Sequence, residues 1–421
     1  MKLAIAMSGG VDSSVAAKIL SDEGHQVCGL FLKLWSDPTC KIEKENRCCD
    51  YEALEDARKV AAKLNIPFYV INARDEFKKE VVNYFLDRYK NLQTPNPCIV
   101  CNDKIKFGLL LKRALEIGCK KLATGHYARI KDAGNPKSET RNPKKLEARS
   151  YKLKAGIDKS KDQSYMLYHL TQNQLSRVLF PLGEITKSQV RKLAVEWDLP
   201  VKEKPESQEI CFFGDKDYRT FSRRHLEKKY FLPGDIVDSN GNVIGRHDGL
   251  INYTVGQRKG ISQELKNPRT KEPKNHYQCH SELISESQRS RNEFGMTDKN
   301  KEPLYVVGFD VKKNQLIVGA DKEIYQKEMM VGDLNWVDRL KNARTKGLKN
   351  IKVKIRYRHE AVPCEILNYR SKNCHCEESA TRQSDSNLLV VFDQPQRAIT
   401  PGQSAVFYVG DEVVGGGIIE N

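Results

Sequence analysis

The stretch Ala6-Met7-Ser8-Gly9-Gly10-Val11-Asp12-Ser13-Ser14 constrains the fold more than any other part of the chain. The apolar run Leu3 to Met7 predicts a buried strand. Val15, Ala16, Ile19 and Leu20 follow at helical spacing, and Gly24 is placed to end that helix. A strand, a tight glycine turn and a helix N-terminus together form a phosphate cradle. The unpaired N–H groups of the first turn and the positive end of the helix dipole both face an anion placed there. Gly9 and Gly10 leave the backbone open to close approach, and Ser8, Ser13 and Ser14 can add hydroxyl donors. Asp12 cannot bind phosphate directly, so its carboxylate suits either a Mg²⁺ ligand or a helix cap. The plain alternative for the stretch is an ordinary βα turn with serine caps. The pattern is not Walker A, because no Gly-Lys-Ser/Thr follows.

A chain of 421 residues predicts two or three domains. No apolar run approaches the ~18 residues of a membrane span, and the chain opens directly into a strand rather than a signal peptide. A cytoplasmic protein without membrane partners is expected. The formal net charge of +16 suits a polyanionic partner, held in a salt-sensitive way. In that compartment the 12 cysteines are expected to be reduced, catalytic or metal-binding rather than structural disulfides.

The first part of the chain alternates strand and helix. Strands are predicted over His25 to Leu34, Pro67 to Ile71 and Lys121 to Ala123. Helices are predicted over Tyr51 to Leu64, Asp75 to Tyr89, Ile105 to Ile117 and Ile185 to Trp197. The alternation predicts a doubly wound parallel sheet, with ligands at the carboxyl ends of its strands. That rim collects Ser8 to Ser13, Leu32 and Gly125-His126. Leu32 reads equally as an adenine-pocket wall or as plain core. Thr94 to Asn102 carries Cys98 and Cys101 just after two prolines, Pro95 and Pro97, which predicts an irregular loop. Its Cys-x-x-Cys spacing suits thiol chemistry or half of a metal site. Cys48-Cys49 reads as structural. Asp162 reads as the N-cap of a helix over Tyr165 to Leu170, or Lys161 and Gln163 contact substrate. Cys211 sits among apolar neighbours, where a buried inert thiol is the ordinary reading.

From Phe231 turn signals separate short strands and predict a small mixed or β-rich domain, in which Arg258 and Lys259 could touch phosphates. From about Lys327, β-branched runs predict a closed antiparallel barrel. Arg356, Tyr357, Arg358 and His359 interleave charge and aromatics, which suits RNA backbone and base stacking or simply an exposed strand face. Three polar, aperiodic segments, Asn135 to Ser150, Gln278 to Asn300 and Arg370 to Asn387, read as tolerated surface insertions.

The N-terminal loop resembles the PP-loop of N-type ATP pyrophosphatases. Added to it are Asn-Pro-Cys-x-x-Cys-Asn, Thr-Gly-His-Tyr-Ala-Arg, Lys-Asp-Gln-Ser-Tyr, Ser-Gln-Glu-Ile-Cys-Phe, Tyr253 to Arg258 and Thr400 to Ala405. In that order they closely resemble the bacterial tRNA-specific 2-thiouridylases. The resemblance implies a PP-loop domain over 1–214, a small central tRNA-contacting domain over 215–326 and a tRNA-binding β-barrel over 327–421. It implies that ATP, with Mg²⁺, adenylates the C2 oxygen of the wobble uridine of tRNA, with lysine, glutamate and glutamine acceptors expected. ATP would lie on Ala6, Met7, Ser8, Gly9, Gly10, Val11, Asp12, Ser13, Leu32 and Gly125. Asn96, Pro97 and Cys98 would face the target base. His126, Lys161, Asp162, Gln163, Arg356, Tyr357 and Gln403 would contact tRNA.

By the same resemblance Cys211 receives a persulfide from a sulfur carrier such as a cysteine desulfurase or relay protein. Cys101 then releases the sulfur and forms a disulfide with Cys211. Some relatives carry Asp at position 98, where cysteine is a weak acid–base group. An iron–sulfur cluster on Cys98, Cys101 and Cys211 is the alternative route. Other classes are a PP-loop ligase, such as an amidotransferase-type enzyme or argininosuccinate synthase, and a catalytically dead RNA-binding protein.

Overall fold

The computed structural model describes residues 1–38, 51–134, 150–206, 210–213, 218–261, 302–337, 350–369 and 387–420. Cys48, Cys49, Ser207 to Glu209 and nearly all of the three inserted segments lie outside the described residues. Two compact units result. One joins Met1–Glu227 with Gln326–Asn421, and the other is Lys228–Tyr325.

The first seven strands of the larger unit are β1 (Lys2–Ala6), β2 (Gln26–Lys33), β3 (Phe68–Asn72), β4 (Lys121–Ala123), β5 (Ala128–Asp132), β6 (Tyr151–Ala155) and β7 (Val178–Leu179). Five form a parallel sheet in the order β3-β2-β1-β4-β7. Leu3, Ala4 and Ile5 of the central strand are all fully buried. Both faces of this strand are covered, which is why its sequence is continuously apolar rather than alternating. One face packs on α1 (Val11–Asp22), α2 (Tyr51–Lys63) and the helix Lys187–Glu196, through Val15, Ala57, Val60 and Val190. The other packs on Phe107, Leu110 and Ala114. This is the doubly wound sheet that the alternation predicts.

Those last residues belong to a helix that begins earlier than predicted. The expected loop over Thr94 to Asn102 is helical from Pro97. The helix runs through Pro97–Val100, a π segment Cys101–Leu110 and Leu111–Glu116. Pro97 occupies the first helical position, where its missing N–H costs nothing and its fixed φ is already helical. Asn96 is the N-cap, and its side chain accepts from the Cys98 N–H at 3.2 Å.

The smaller unit contains β8 (Gly234–Val237), β9 (Val243–His247), β10 (Tyr305–Asp310) and β11 (Gln315–Gly319). They form a mixed sheet in the order β10-β11-β8-β9, parallel only between β11 and β8.

The remaining strands are β12 (Tyr325–Trp336), β13 (Ile351–Lys354), β14 (Val362–Tyr369), β15 (Asn387–Arg397), β16 (Ser404–Val409) and β17 (Glu412–Ile419). The antiparallel order β12-β15-β14-β13-β16-β17 closes through β12–β17 around Val353, Val390, Phe392 and Phe407. Beside β16, β17 has two partners along its other edge. Its first residues pair with β6, Glu412 to Lys154 and Val413 to Leu153, and Gly415 to Ile419 pair with β12. The hairpin β5–β6 thereby extends the barrel sheet, and the two parts fold as one body.

A buried polar seam reinforces this junction. Asp162 is buried. Its Oδ1 accepts from the N–H groups of Gly156 and Ser164 at 3.1 and 3.0 Å. Its Oδ2 accepts from Ser164 Oγ at 2.9 Å and from Lys354 Nζ of β13 at 3.4 Å. Ser164 Oγ lies 3.2 Å from Tyr408 Oη, and Tyr165 Oη donates to the Ser404 carbonyl at 2.8 Å. The helix predicted over Tyr165 to Leu170 is only a 3₁₀ turn, Ser164–Leu167. Asp162 holds it by bonding Ser164, while the tyrosines reach into the barrel. The variant Asp162→Ala would leave Lys354 without its buried carboxylate and two N–H groups without an acceptor. Its unfolding free energy in denaturant titration is expected to fall by about 3–5 kcal/mol.

Candidate active site: phosphate loop and cysteine helix

The loop between β1 and α1 is built by its own side chains. Ser13 Oγ accepts from the Ser8 N–H at 3.2 Å and donates to the Gly10 carbonyl at 3.1 Å, and Ser14 Oγ donates to the same carbonyl at 2.9 Å. Gly9 has φ +72°, and a Cβ there would lie 2.2 Å from the Ala53 carbonyl oxygen. A Cβ on Gly125, just past β4, would come within 2.9 Å of the Asp12–Ser13 backbone, so this strand end abuts the loop. Leu32 and Ala6 are partly buried against the core beneath the sheet.

Asp12 has partners that no local pattern shows. Its Oδ1 accepts from Tyr127 Oη at 2.8 Å and from Lys187 Nζ at 2.6 Å. Lys187 Nζ also lies 3.3 Å from Glu206 Oε1, whose other oxygen accepts from Lys161 Nζ at 2.7 Å. Two carboxylates and two ammonium groups thus form a neutral chain from the phosphate loop to Glu206, five residues before Cys211. The Lys161 hydrogen bond, reinforced by the charge of Lys187, holds the Glu206 carboxyl below its ordinary range. Burial, reinforced by Asp12, pushes the Tyr127 hydroxyl up, so it stays a protonated donor.

The cysteines occupy distinct surroundings. Cys98 is exposed in the first turn of the long helix, and Cys101, at the start of its π segment, is buried. Asn102 Nδ2 donates to the Met166 carbonyl at 3.0 Å, and Asn96 Nδ2 lies 3.4 Å from Met166 Sδ. The barrel fixes the approach to this helix. Gln403 Nε2 donates to the Thr94 carbonyl at 2.8 Å, and the Thr94 N–H donates to the Pro401 carbonyl at 2.8 Å. Gly402, at φ +87°, sits where a Cβ would be 2.8 Å from Gln93 Cβ and the Thr94 nitrogen.

Cys211 is half-buried, and its neighbour Phe212 is wholly buried against Phe77, Phe85 and Phe221, with centroids 5.4–5.8 Å away. Phe221 lies on the helix Tyr218–His225, which is clamped by Arg224 and His225, each 2.9 Å from Oδ2 of the fully buried Asp37 carboxyl. An aromatic anchor therefore sets a thiol at the surface of a rigid cluster. Cys28 and Cys119 are different. Their sulfurs are buried 3.4 Å apart, and burial pushes the Cys28 thiol up to about 12, so it is an inert core group. Among the described residues no three His, Cys, Asp or Glu side chains are gathered as a metal site, Cys98, Cys101 and Cys211 included.

Residues 1–215 match the tRNA methyl transferase HUP domain, 219–271 the tRNA methyl transferase PRC-barrel domain and 326–419 the aminomethyltransferase beta-barrel domain. The chain is 40% identical over 422 residues to the tRNA-specific 2-thiouridylase MnmA of Acetivibrio thermocellus, covering 100% of this chain and 99% of that one. Its identity to the Heliobacterium modesticaldum protein of the same name is 42% over 416 residues, with 99% and 91% of the two chains covered. The chain belongs to the tRNA-specific 2-thiouridylase family.

Of the seven positions expected to contact tRNA, six make internal hydrogen bonds here, Lys161 through Glu206. Asp162 is in the seam, and Gln403 holds Thr94. Gln163 exchanges hydrogen bonds with the Tyr127 backbone, its N–H donating at 2.9 Å and its Oε1 accepting at 3.0 Å. Arg356 Nη2 donates to the carbonyls of Arg397 and Ala398 at 2.5 Å each. His126 is buried, with Nδ1 2.7 Å from Thr124 Oγ1. Lys161 and Tyr357 are only half-buried, and Tyr357 lies within the electrostatic reach of Asp162, Cys98 and Glu206. Tyr127, Lys187 and Glu206 escape sequence reasoning. The one local signal is the capping box Thr186-x-x-Gln189, which starts the helix carrying Lys187.

Burial, reinforced by Lys106, holds the His126 imidazole well below its ordinary 6.5. At pH values below 6.5 the unfolded chain takes up a proton that the folded one refuses, so stability rises with pH in that window. His169, His247 and His359 shift in the same direction. Unfolding free energy should be full above pH 6.5 and fall below it, with His126 contributing at most about 1.4 kcal/mol per pH unit. Denaturant titrations from pH 7.5 to 5.5 should show a shallower slope in His126→Asn.

Proposed function

We propose that this chain is a tRNA-uridine 2-sulfurtransferase that thiolates the wobble uridine at the expense of ATP. The observation that carries the reading is one body holding a phosphate loop, two differently placed cysteines and the ion-pair chain Asp12–Lys187–Glu206 that starts at the phosphate loop. Full-length similarity to 2-thiouridylases supports it.

Uridine O2 attacks the α-phosphorus of ATP, and pyrophosphate leaves. This converts a poor leaving group into AMP. The terminal sulfur of a Cys211 persulfide then attacks C2, and AMP departs with the original oxygen. The Cys101 thiolate attacks Cys211 Sγ, the Cys211–sulfur bond breaks, and 2-thiouridine leaves with the sulfur electrons. A dithiol reductant reopens the Cys101–Cys211 disulfide, and a sulfane-sulfur carrier reloads Cys211. The wobble base must turn out of its stack to reach this site, with Asn96, Pro97 and Cys98 as its floor. A divalent cation accompanying ATP would find Asp12 Oδ2, which has no partner among the described residues. Among the described residues no three-ligand site supports the cluster alternative, and no step is drawn through it. The division at residues 214 and 326, the cytoplasmic setting and the lysine, glutamate and glutamine acceptors complete the reading.

Purified chain given ATP, a persulfide donor and unmodified tRNA should form 2-thiouridine, measured by nucleoside mass spectrometry. Cys211→Ser should reduce formation to background, and Cys101→Ser should trap sulfur on the enzyme. Normal turnover by Cys211→Ser would refute the persulfide role. Affinity for tRNA should fall linearly on a log–log plot against salt.

A further inference from the structure

Lysine is almost never fully buried unless paired, yet Lys187 is only 8% exposed at the first position of its helix. Its backbone N–H is taken by Asp158 Oδ2 at 2.9 Å. Its side chain turns inward to the first turn of α1 rather than out to solvent. There the ammonium lies 2.6 Å from Asp12 and 3.3 Å from Glu206, and 5.8 Å from the centroid of the Tyr127 ring. The side chains of Asp12 and Glu206 keep 34% and 29% exposure, against 11% for that of Lys187.

This arrangement answers an electrostatic difficulty in the loop. The loop presents N–H groups and hydroxyls to an anion, but it also carries the Asp12 carboxylate, which repels one. A cation inserted behind Asp12 removes that repulsion and adds attraction at the helix N-terminus. We propose that Lys187 is a nucleotide-binding residue: its ammonium meets the triphosphate of ATP, and Asp12 and Glu206 hold it in place while the site is empty. The proposal rests on the ATP reading above and adds the residue that reads the phosphate charge. Glu206 gives it a second consequence. When phosphate competes for Lys187, Glu206 is left with Lys161 alone.

Binding measured by calorimetry on the full chain tests this with ATP, inorganic pyrophosphate and adenosine as probes. The variant Lys187→Met should weaken ATP and pyrophosphate by about 10- to 100-fold and leave adenosine unchanged. Lys187→Arg should recover part of the loss. Equal loss of adenosine and ATP would mean a structural role and overturn the proposal, as would wild-type ATP affinity in Lys187→Met. The double variant Asp12→Asn with Lys187→Met separates the remaining possibility. If Lys187 only neutralises Asp12, the double variant regains the ATP affinity of Asp12→Asn alone, and the proposal fails. If Lys187 meets phosphate itself, the loss persists. Should Lys187→Met fail to fold, Glu206→Gln serves. It releases Lys187 from one carboxylate and should tighten pyrophosphate binding, and unchanged or weaker binding would count against the proposal. Failure of the wild-type chain to bind ATP at all would instead refute the underlying ATP reading.

Discussion

The seam from Asp162 to Ser404 is the contact on which the larger unit depends. A carboxylate taken out of water is costly unless its oxygens are matched, and here both are: Gly156, Ser164 and Lys354 supply the donors. Because Lys354 belongs to the barrel and Ser164 to the parallel-sheet part, neither part can keep its half of the network alone. The edge of β17 has the same property. Without β6 its first residues would lose their ladder partners, and without β12 the barrel would not close.

The consequences reach the site through short paths. With the barrel fixed, the loop Thr400–Gln403 presses on Thr94 and sets the start of the helix that carries Cys98 and Cys101. Tyr357 comes from the barrel to stand in reach of Cys98 and Glu206. The Lys-Asp-Gln-Ser-Tyr stretch is therefore chiefly architecture. Its Lys161 joins the ion-pair chain, Gln163 fastens Tyr127, and Tyr127 in turn holds Asp12. Positions expected to touch RNA act first by shaping the surface that would receive it. Arg356 is the clearest case, since burial and the nearby Arg397 destabilise its charge while two backbone carbonyls hold it.

Features written in neighbouring residues were readable without coordinates. The strand–glycine turn–helix at Ser8 to Ser14, the alternating elements of the parallel sheet and the β-rich barrel all follow from local period and turn chemistry. Family motifs singled out Cys101 and Cys211 as the candidate reactive cysteines. Local rules failed where a proline has two meanings: Pro97 forbids a helix interior but starts a helix well, and Asn96 as its cap decided the matter. They also failed where a short polar segment is claimed by distant partners, so that Tyr165 and Tyr168 turn to Ser404 instead of extending a helix. Only tertiary structure could decide the partners of Asp12. Lys187 lies 175 positions away in sequence, and no pattern of period or spacing links two charges whose pairing depends on how a helix packs across the sheet. The chain by itself determined that a strand, a glycine turn and a helix N-terminus carrying Asp12 would meet at its start. The fold decided which cation pairs with Asp12, because desolvated charges must find a partner wherever packing brings one within reach.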